Sequence, residues 1–137
     1  MHHNIDNQTR KYGDSASFDQ GGEFPVLITD RPSRQYTCFV DNLIESNQDF
    51  RYTIHSLYSA TEEDSVTIHL GTPGGSISAM QAFLHAKNNC KANVHIIATG
   101  EICSAGAIIL CDADSYELDP FASILLHSAS FGPGVLS

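Results

Sequence analysis

The chain has 137 residues, which predicts a single domain. Hydrophobic residues make up 42% and charged residues 17% of the sequence, so the chain can bury a core and is not disordered as a whole. The formal net charge is −9 and the seven lysines and arginines are scattered, which argues against a nucleic-acid-binding groove.

No stretch has the length and apolar character of a membrane span, and the first residues lack the apolar core of a signal peptide. None of the four cysteines is part of a CxxC pair. This absence of pairing is typical of reduced thiols in a cytoplasmic protein. The spacing of His85, Cys90 and His95 matches no common zinc pattern. We therefore expect neither a metal nor another cofactor.

Residues 1–23 are polar and without sustained periodicity, so we predict a mobile N-terminal arm there and an α/β domain over residues 24–137. Residues 24–29 are a candidate edge segment, and the β-forming run at residues 36–40 predicts a strand. From about Asn47 a helix is predicted, because one apolar stripe recurs at helical spacing through Phe50, Ile54, Leu57 and Tyr58.

Residues 66–70 predict the next strand, which runs into the turn Gly71-Thr-Pro-Gly-Gly-Ser76. Ser76 is the predicted N-cap of a helix that ends near residues 88–89. Another strand follows at residues 94–98. Residues 105–110 have no polar face, which predicts a helix buried all round, and short strands are expected at residues 116–118 and 123–127.

Strands thus alternate with crossover helices, which predicts an α/β fold of repeated strand-helix units with a largely parallel sheet. Functional residues in such sheets gather at the carboxyl ends of the strands. Three of these ends carry candidate functional residues: Gly74 and Gly75 follow one strand, Ser104 follows the next, and His127 ends another. We therefore expect these strand ends to converge, with Ser104 and His127 at the same edge of one sheet.

A serine at a helix entrance, as Ser104 is predicted to be, is either an N-cap or a nucleophile. A serine nucleophile needs a base to take its proton, and the imidazole of His127 suits that role. An acyl-transfer site also needs donors to the developing oxyanion, and the backbone N–H groups of Gly75 and Ala105 are candidates. The combination predicts acyl-transfer chemistry.

Three blocks of the sequence resemble the proteolytic subunit of the Clp protease, a ring-forming serine peptidase with the ClpP/crotonase-like fold. They are Gly71-Thr-Pro-Gly-Gly-Ser76, Gly100-Glu-Ile-Cys-Ser-Ala-Gly-Ala107 and Ile124-Leu-Leu-His127, in the family's order and at similar separations. The similarity covers residues 65–132, and a weaker similarity extends back to about Tyr36.

The resemblance implies that Ser104 is the nucleophile, that His127 is the general base, and that the N–H groups of Gly75 and Ala105 form the oxyanion hole. It implies that a peptide binds as an added strand beside Gly74 and Gly75. It also implies a homo-oligomeric ring that hydrolyses unfolded polypeptides, supplied by an AAA+ ATPase unfoldase, through an acyl-enzyme.

The sequence departs from the family pattern in its details. Ala105 stands where the family has Met, and Ser128-Ala129 replaces Gln-Pro after the histidine. The family's triad acid lies well downstream of the histidine, whereas this sequence ends ten residues after His127, so we expect a domain that is incomplete at its C-terminus. Two alternatives follow: a catalytically impaired structural or regulatory subunit, and a crotonase-type acyl-CoA enzyme with similar paired N–H donors.

Overall fold

The structure is a computed structural model that describes residues 15–19, 26–30 and 32–128. Residues 1–33 and 34–137 form two separate units. In the first unit β1 (Ser15–Asp19) pairs antiparallel with β2 (Val26–Asp30). β1 falls within the segment predicted as a mobile arm, where the sequence indicated no strand, and β2 overlaps the predicted edge segment. The rest of the predicted arm lies outside the described residues.

The second unit alternates strands with helices. In chain order its elements are β3 (Gln35–Val40), α1 (Arg51–Ser59), β4 (Ser65–Leu70), α2 (Ile77–Asn88), β5 (Asn93–Ala98), β6 (Glu101–Cys103), α3 (Ala105–Cys111), β7 (Ser115–Leu118) and β8 (Ser123–Leu125). Four of the strands form a parallel sheet in the order β3-β4-β5-β7. The α/β class with a largely parallel sheet, predicted from the sequence, is therefore confirmed.

The core lies on one face of the four-stranded sheet. Alternate residues of β4 and β5 are buried, as the period-2 pattern of a half-covered strand requires. They form one hydrophobic cluster with Phe50, Leu57 and Phe83, and the rings of Phe50 and Phe83 are 5.1 Å apart between centroids. Burying one such large side chain contributes about 1.5–3 kcal/mol to the free energy of folding. The cluster therefore stabilises the sheet that positions the loops at its carboxyl end.

Several helix predictions need correction. α1 begins at Arg51 and not near Asn47, because residues 47–50 form a turn that is closed by the Asp49 carboxylate, which accepts the N–H groups of Glu45 and Ser46. Tyr58, assigned to the apolar stripe, is 54% exposed. α3 is not buried all round, because Ile108 is 42% exposed. Among the described helices none is long and apolar enough to cross a membrane.

β6 and β8 form a second, two-stranded parallel sheet, in which Glu101 pairs with Ser123 and Cys103 with Leu125. The strands before Ser104 and His127 therefore pair in one sheet, as expected, but this sheet is separate from the four-stranded one. Ser104 follows β6 and His127 follows β8, whereas the Pro-Gly-Gly turn leaves β4 in the larger sheet. A strand of three residues is too short to show periodicity, which is why β6 was not predicted.

Candidate active site

Ser104 lies between β6 and α3 with φ 53° and ψ −116°, and it is the one non-glycine residue with positive φ in the described part of the chain. Its N–H donates to the Leu125 carbonyl (2.9 Å), and its own carbonyl accepts from Ala107 (3.0 Å). A side-chain-bearing residue in this conformation costs about 1–3 kcal/mol and persists only where its surroundings impose it. The pairing of β6 with β8 and the start of α3 supply that constraint.

The Ser104 side chain does not cap α3, although Ser104 occupies the N-cap position. An ordinary N-cap serine has extended backbone angles, and its hydroxyl oxygen accepts from an N–H of the first turn. Ser76 does this at α2, where its oxygen accepts from the Ala79 N–H at 3.3 Å. The Ser104 hydroxyl makes no such bond and is only partly buried, so the N-cap interpretation of Ser104 is excluded.

The Pro-Gly-Gly turn packs directly against Ser104. Gly74 has φ 95°, and a Cβ atom on it would lie 2.9 Å from Ser104 Cβ and 3.2 Å from Ala105 N. Gly75 has φ 139°, and a Cβ atom there would collide with the Ile44 carbonyl oxygen. Only glycine accepts both the positive φ and the close approach. The structure thus brings the turn and the start of α3 together.

The N–H groups of Gly75 and Ala105 make no hydrogen bond within the described residues. Ile44 forms an isolated parallel bridge with Gly75, in which Ile44 N donates to Gly74 O and Ser76 N donates to Ile44 O, both at 2.8 Å. The Gly75 N–H therefore points to the opposite edge, as alternate groups of an extended chain do. Ala105 is the first residue of α3, where N–H groups have no intrahelical acceptor. Two free donors consequently lie near Ser104.

His127 is exposed and lies two residues beyond the end of β8. Its Nδ1 is 2.8 Å from the Ser128 carbonyl oxygen. Because a carbonyl only accepts, Nδ1 must carry the hydrogen, and in the neutral ring Nε2 is then the acceptor. No hydrogen bond joins Ser104 to His127, both of which the structure describes. The structure places them just beyond the ends of the paired strands β6 and β8, with no hydrogen bond between their side chains.

Ser104 and His127 line one cleft of about 580 Å³. The other residues of its wall come from the glycine turn with the first turn of α2, from the start of α3, and from the end of β8; they are Gly75, Ser76, Ile77, Ser78, Met80, Ala105, Ile108 and Leu126. Ile77, Ile108 and Leu126 are exposed. The cleft therefore combines three serine side chains, of which Ser76 and Ser78 are bonded to each other, with an imidazole, two backbone donors and apolar side chains.

Two other serine–histidine pairs lie within hydrogen-bond distance: Ser59 Oγ is 3.5 Å from His55 Nδ1 on α1, and a shorter contact lies on the sheet face opposite the core. Ser115 Oγ is 2.8 Å from His95 Nδ1, and Glu117 Oε1 is 3.4 Å from His95 Nε2. Ser115 and His95 are register partners on β7 and β5, so this is the contact expected of adjacent strands. Within the described residues no positive-φ residue adjoins Ser115, whereas Ser104 itself has positive φ and packs against the glycine turn. Ser115 is the weaker nucleophile candidate despite its better hydrogen bond.

The cysteines do not extend the site. All four are free. Burial raises the pKa of the Cys38 thiol and that of Cys90, which makes both less reactive near neutral pH. In the described ranges no three His, Cys, Asp or Glu side chains are grouped closely enough to hold a metal ion.

Thr72 was not identified from the sequence, although it is a polar residue with no exposed surface. Its hydroxyl donates to Asn42 O at 2.6 Å and accepts from Gly74 N at 3.1 Å. The available signal was local: a threonine two residues before a glycine can close a turn with its hydroxyl. The bridge between Ile44 and Gly75 had no sequence signal, because it joins segments about thirty residues apart.

Two comparisons with known proteins agree with this architecture. The sequence model of the Clp protease family matches residues 28–135, and the chain therefore belongs to the Clp protease family. The structure is similar to the crystal structure of the ClpP protease catalytic domain from Plasmodium falciparum, with a TM-score of 0.53 and 20% sequence identity. The match covers 68% of this chain and 54% of that one, so the chain spans about half the length of that catalytic domain. The family predicted from the three sequence blocks is confirmed.

Proposed function

We propose that the chain supplies the nucleophile, the base and the oxyanion donors of a Clp-type serine endopeptidase. One observation supports this more than any other: the Ser104 hydroxyl, held at positive φ and free of any capping bond, opens into a cleft that it shares with His127. Strain of this kind is retained where the surrounding structure requires it, and it is concentrated at functional sites.

In the proposed reaction Ser104 Oγ attacks the carbonyl carbon of the scissile peptide bond, while His127 Nε2 accepts the hydroxyl proton. The N–H groups of Gly75 and Ala105 donate to the oxygen on which negative charge develops. The C–N bond then breaks, Nε2 returns the proton to the leaving amine, and an acyl-enzyme remains on Ser104. Water hydrolyses the ester with His127 again acting as base.

The proposed substrate is an extended segment of an unfolded polypeptide, bound as an added strand beside Gly74 and Gly75. Ile44 already pairs with one edge of this segment, and no residue that the structure describes pairs with the other edge. The exposed side chains of Ile77, Ile108 and Leu126 in the cleft would contact an apolar substrate side chain. The proposal includes a homo-oligomeric ring in the cytoplasm that receives substrates from an AAA+ ATPase unfoldase, on the basis of the family resemblance.

The second candidate is a structural or regulatory subunit of such an assembly. It is favoured by the hydrogen bond from His127 Nδ1 to a backbone carbonyl, at the atom where a catalytic triad places a carboxylate. Disabling the carboxylate partner of a triad histidine lowers kcat by about 10⁴-fold. A chain with this geometry could keep the fold and the assembly while hydrolysing peptides very slowly.

The test is to incubate the purified chain with a serine-reactive fluorophosphonate probe and to locate the adduct by mass spectrometry. We expect the adduct on Ser104 and not on Ser115. Ser104→Ala should abolish labelling, and His127→Ala should slow it by about 10²-fold or more, because general-base catalysis contributes on the order of 10²–10⁴.

Ser115→Ala is the matched control, since it removes the serine hydroxyl that lies 2.8 Å from a histidine ring nitrogen and should leave labelling unchanged. An adduct on Ser115 alone would refute the assignment of the nucleophile. A folded chain that is not labelled anywhere would refute the peptidase proposal and favour the structural subunit.

A further inference from the structure

We infer that Thr72 is a positioning residue, whose hydroxyl holds the Pro-Gly-Gly turn so that its backbone donor faces Ser104. The inference deepens the proposed function and rests on it. Thr72 follows β4 by two residues and has no exposed surface, so its hydroxyl bonds only to the protein.

The hydroxyl joins two segments that flank the site. It donates to Asn42 O at 2.6 Å and accepts from Gly74 N at 3.1 Å, thereby using both of its hydrogen-bonding functions. The main-chain carbonyl of Thr72 accepts from Cys103 N at 2.9 Å. One residue therefore connects the loop after β3, the glycine turn and β6, the strand that precedes Ser104.

The turn needs such a restraint because its two glycines permit many backbone conformations. Gly74 is buried, so its N–H requires a partner, and the Thr72 hydroxyl is the acceptor that the structure provides. Asn42, whose carbonyl accepts the Thr72 hydroxyl, lies two residues before Ile44, and Ile44 pairs with Gly75. The hydroxyl consequently fixes Gly74 directly. Through its bond to Asn42 it also fixes the segment that contains Ile44, the residue paired with Gly75.

The methyl group of Thr72 has a separate role. A Cβ atom added to Gly106 would lie 2.6 Å from Thr72 Cγ2, so the methyl group packs closely against α3. Valine keeps this methyl and loses the hydroxyl, whereas serine keeps the hydroxyl and loses the methyl. The two substitutions therefore separate positioning of the turn from packing of the helix.

The experiment compares Thr72→Val with Thr72→Ser in the whole chain. The rate constant of fluorophosphonate labelling at Ser104 is separated from the affinity for the probe, and the amide resonances and exchange rates of Gly74, Gly75 and Ala105 are followed by NMR. Thr72→Val should lower the rate constant by about tenfold or more, with less change in affinity, because small displacements of catalytic groups are costly. It should also speed exchange at Gly74.

Thr72→Ser should lower the melting temperature yet keep labelling within about threefold of the original chain, since its hydroxyl can make both bonds. Ile96→Val, which truncates a buried side chain of β5, is the control for a loss of stability alone and should not slow labelling. If Thr72→Val does not fold, Thr72→Cys replaces it, because a thiol is a weak donor and acceptor. Its labelling rate should then fall below that of Thr72→Ser.

Labelling of Thr72→Val at the original rate, with unchanged resonances for Gly75 and Ala105, would overturn the inference. So would an equal loss in Thr72→Ser, which would assign the effect to packing. If the unaltered chain is not labelled, the proposed function fails, and the positioning role of Thr72 is then tested by the NMR resonances of the amides alone. Shifts at Gly75 and Ala105 in Thr72→Val but not in Thr72→Ser would still support positioning, and their absence would refute it.

Discussion

Two helices of this domain begin after a serine, and the two serines have opposite roles in the structure. Ser76 has φ −58° and ψ 120°, and its hydroxyl accepts from the Ala79 N–H in the first turn of α2. Ser104 has φ 53° and ψ −116°, and its hydroxyl makes no bond to α3. The first serine stabilises a helix, and the second is held in a strained conformation that leaves its hydroxyl available.

The difference arises from the chain that leads into each helix. Ser76 also has a bonded N–H, which donates to Ile44 O, but it is reached through Gly74 and Gly75, which take up the positive φ angles of 95° and 139° and leave the serine in ordinary capping geometry. Ser104 is reached through β6, whose pairing with β8 fixes the peptide before the serine, while α3 fixes the peptide after it. The same residue type therefore acts as a cap or as a candidate nucleophile according to what its neighbours are bonded to.

The largest expected effect comes from disturbing the contact between the glycine turn and Ser104, because this tests whether neighbouring segments hold Ser104 in its conformation. Gly74→Ala should reduce Ser104 labelling by about 10²-fold, because the new Cβ would lie only 2.7 Å from the Cys103 carbonyl oxygen and must displace the strand end that positions Ser104. Gly100→Ala is the matched control: Gly100 also has positive φ (67°), but no atom lies within 4 Å of its added Cβ. Equal losses in both variants would show that backbone strain alone, and not the contact, matters.

The stability of the two helix entrances should respond in opposite directions. Ser104→Gly should raise the free energy of unfolding by about 1 kcal/mol, since it relieves about 1–3 kcal/mol of strain and costs about 0.5–1 kcal/mol in chain entropy. Ser76→Ala should lower that free energy by about 1 kcal/mol through loss of the cap. Urea unfolding measures both, and Ser104→Ala, which keeps the strain, should stay near the original value. Destabilisation by Ser104→Gly would show that the serine is not strained.

The smallest expected effect is on the pH dependence of the unfolding free energy, and it comes from an ion pair at the C-terminal ends of the same two helices. Lys87 in the last turn of α2 bonds Asp114 beyond α3 at 2.8 Å. Burial alone would raise the pKa of Asp114, but hydrogen bonds from Lys87 and the Val94 N–H outweigh it, so the pKa lies below the ordinary 3.8. The contribution of Asp114 to stability is therefore present above about pH 4 and is lost as the pH falls through the lowered pKa.

Asp114→Asn should remove part of the decrease in unfolding free energy between pH 5 and pH 2, as measured by urea unfolding. The effect is small because the carboxylate is 37% exposed and water screens the pair. A residual slope should remain from Asp64, whose pKa is lowered by the N–H groups of Thr61 and Arg34. An unchanged pH profile would show that Lys87 does not stabilise the ionised form of Asp114.

Much of the scaffold was predictable because its signals are local or periodic. The alternation of apolar residues in β4 and β5 predicted half-buried strands, and their order with the helices predicted a parallel sheet. The cap at Ser76 was predictable from residue type and position. The sequence blocks around Gly74, Ser104 and His127 also predicted the family, which the match over residues 28–135 confirms.

The amino-acid sequence by itself determined most of the strands and helices of the α/β unit, though not β6, and which residues are chemically suited to an acyl-transfer site. Only the tertiary structure decided that Ser104 is strained and does not cap α3, that β6 pairs with β8, and that the Thr72 hydroxyl joins Asn42 to Gly74. These features depend on hydrogen bonds and close contacts between segments distant in the chain. Local propensity contains no information about such contacts, because they form only when the packed sheet and helices bring those segments together.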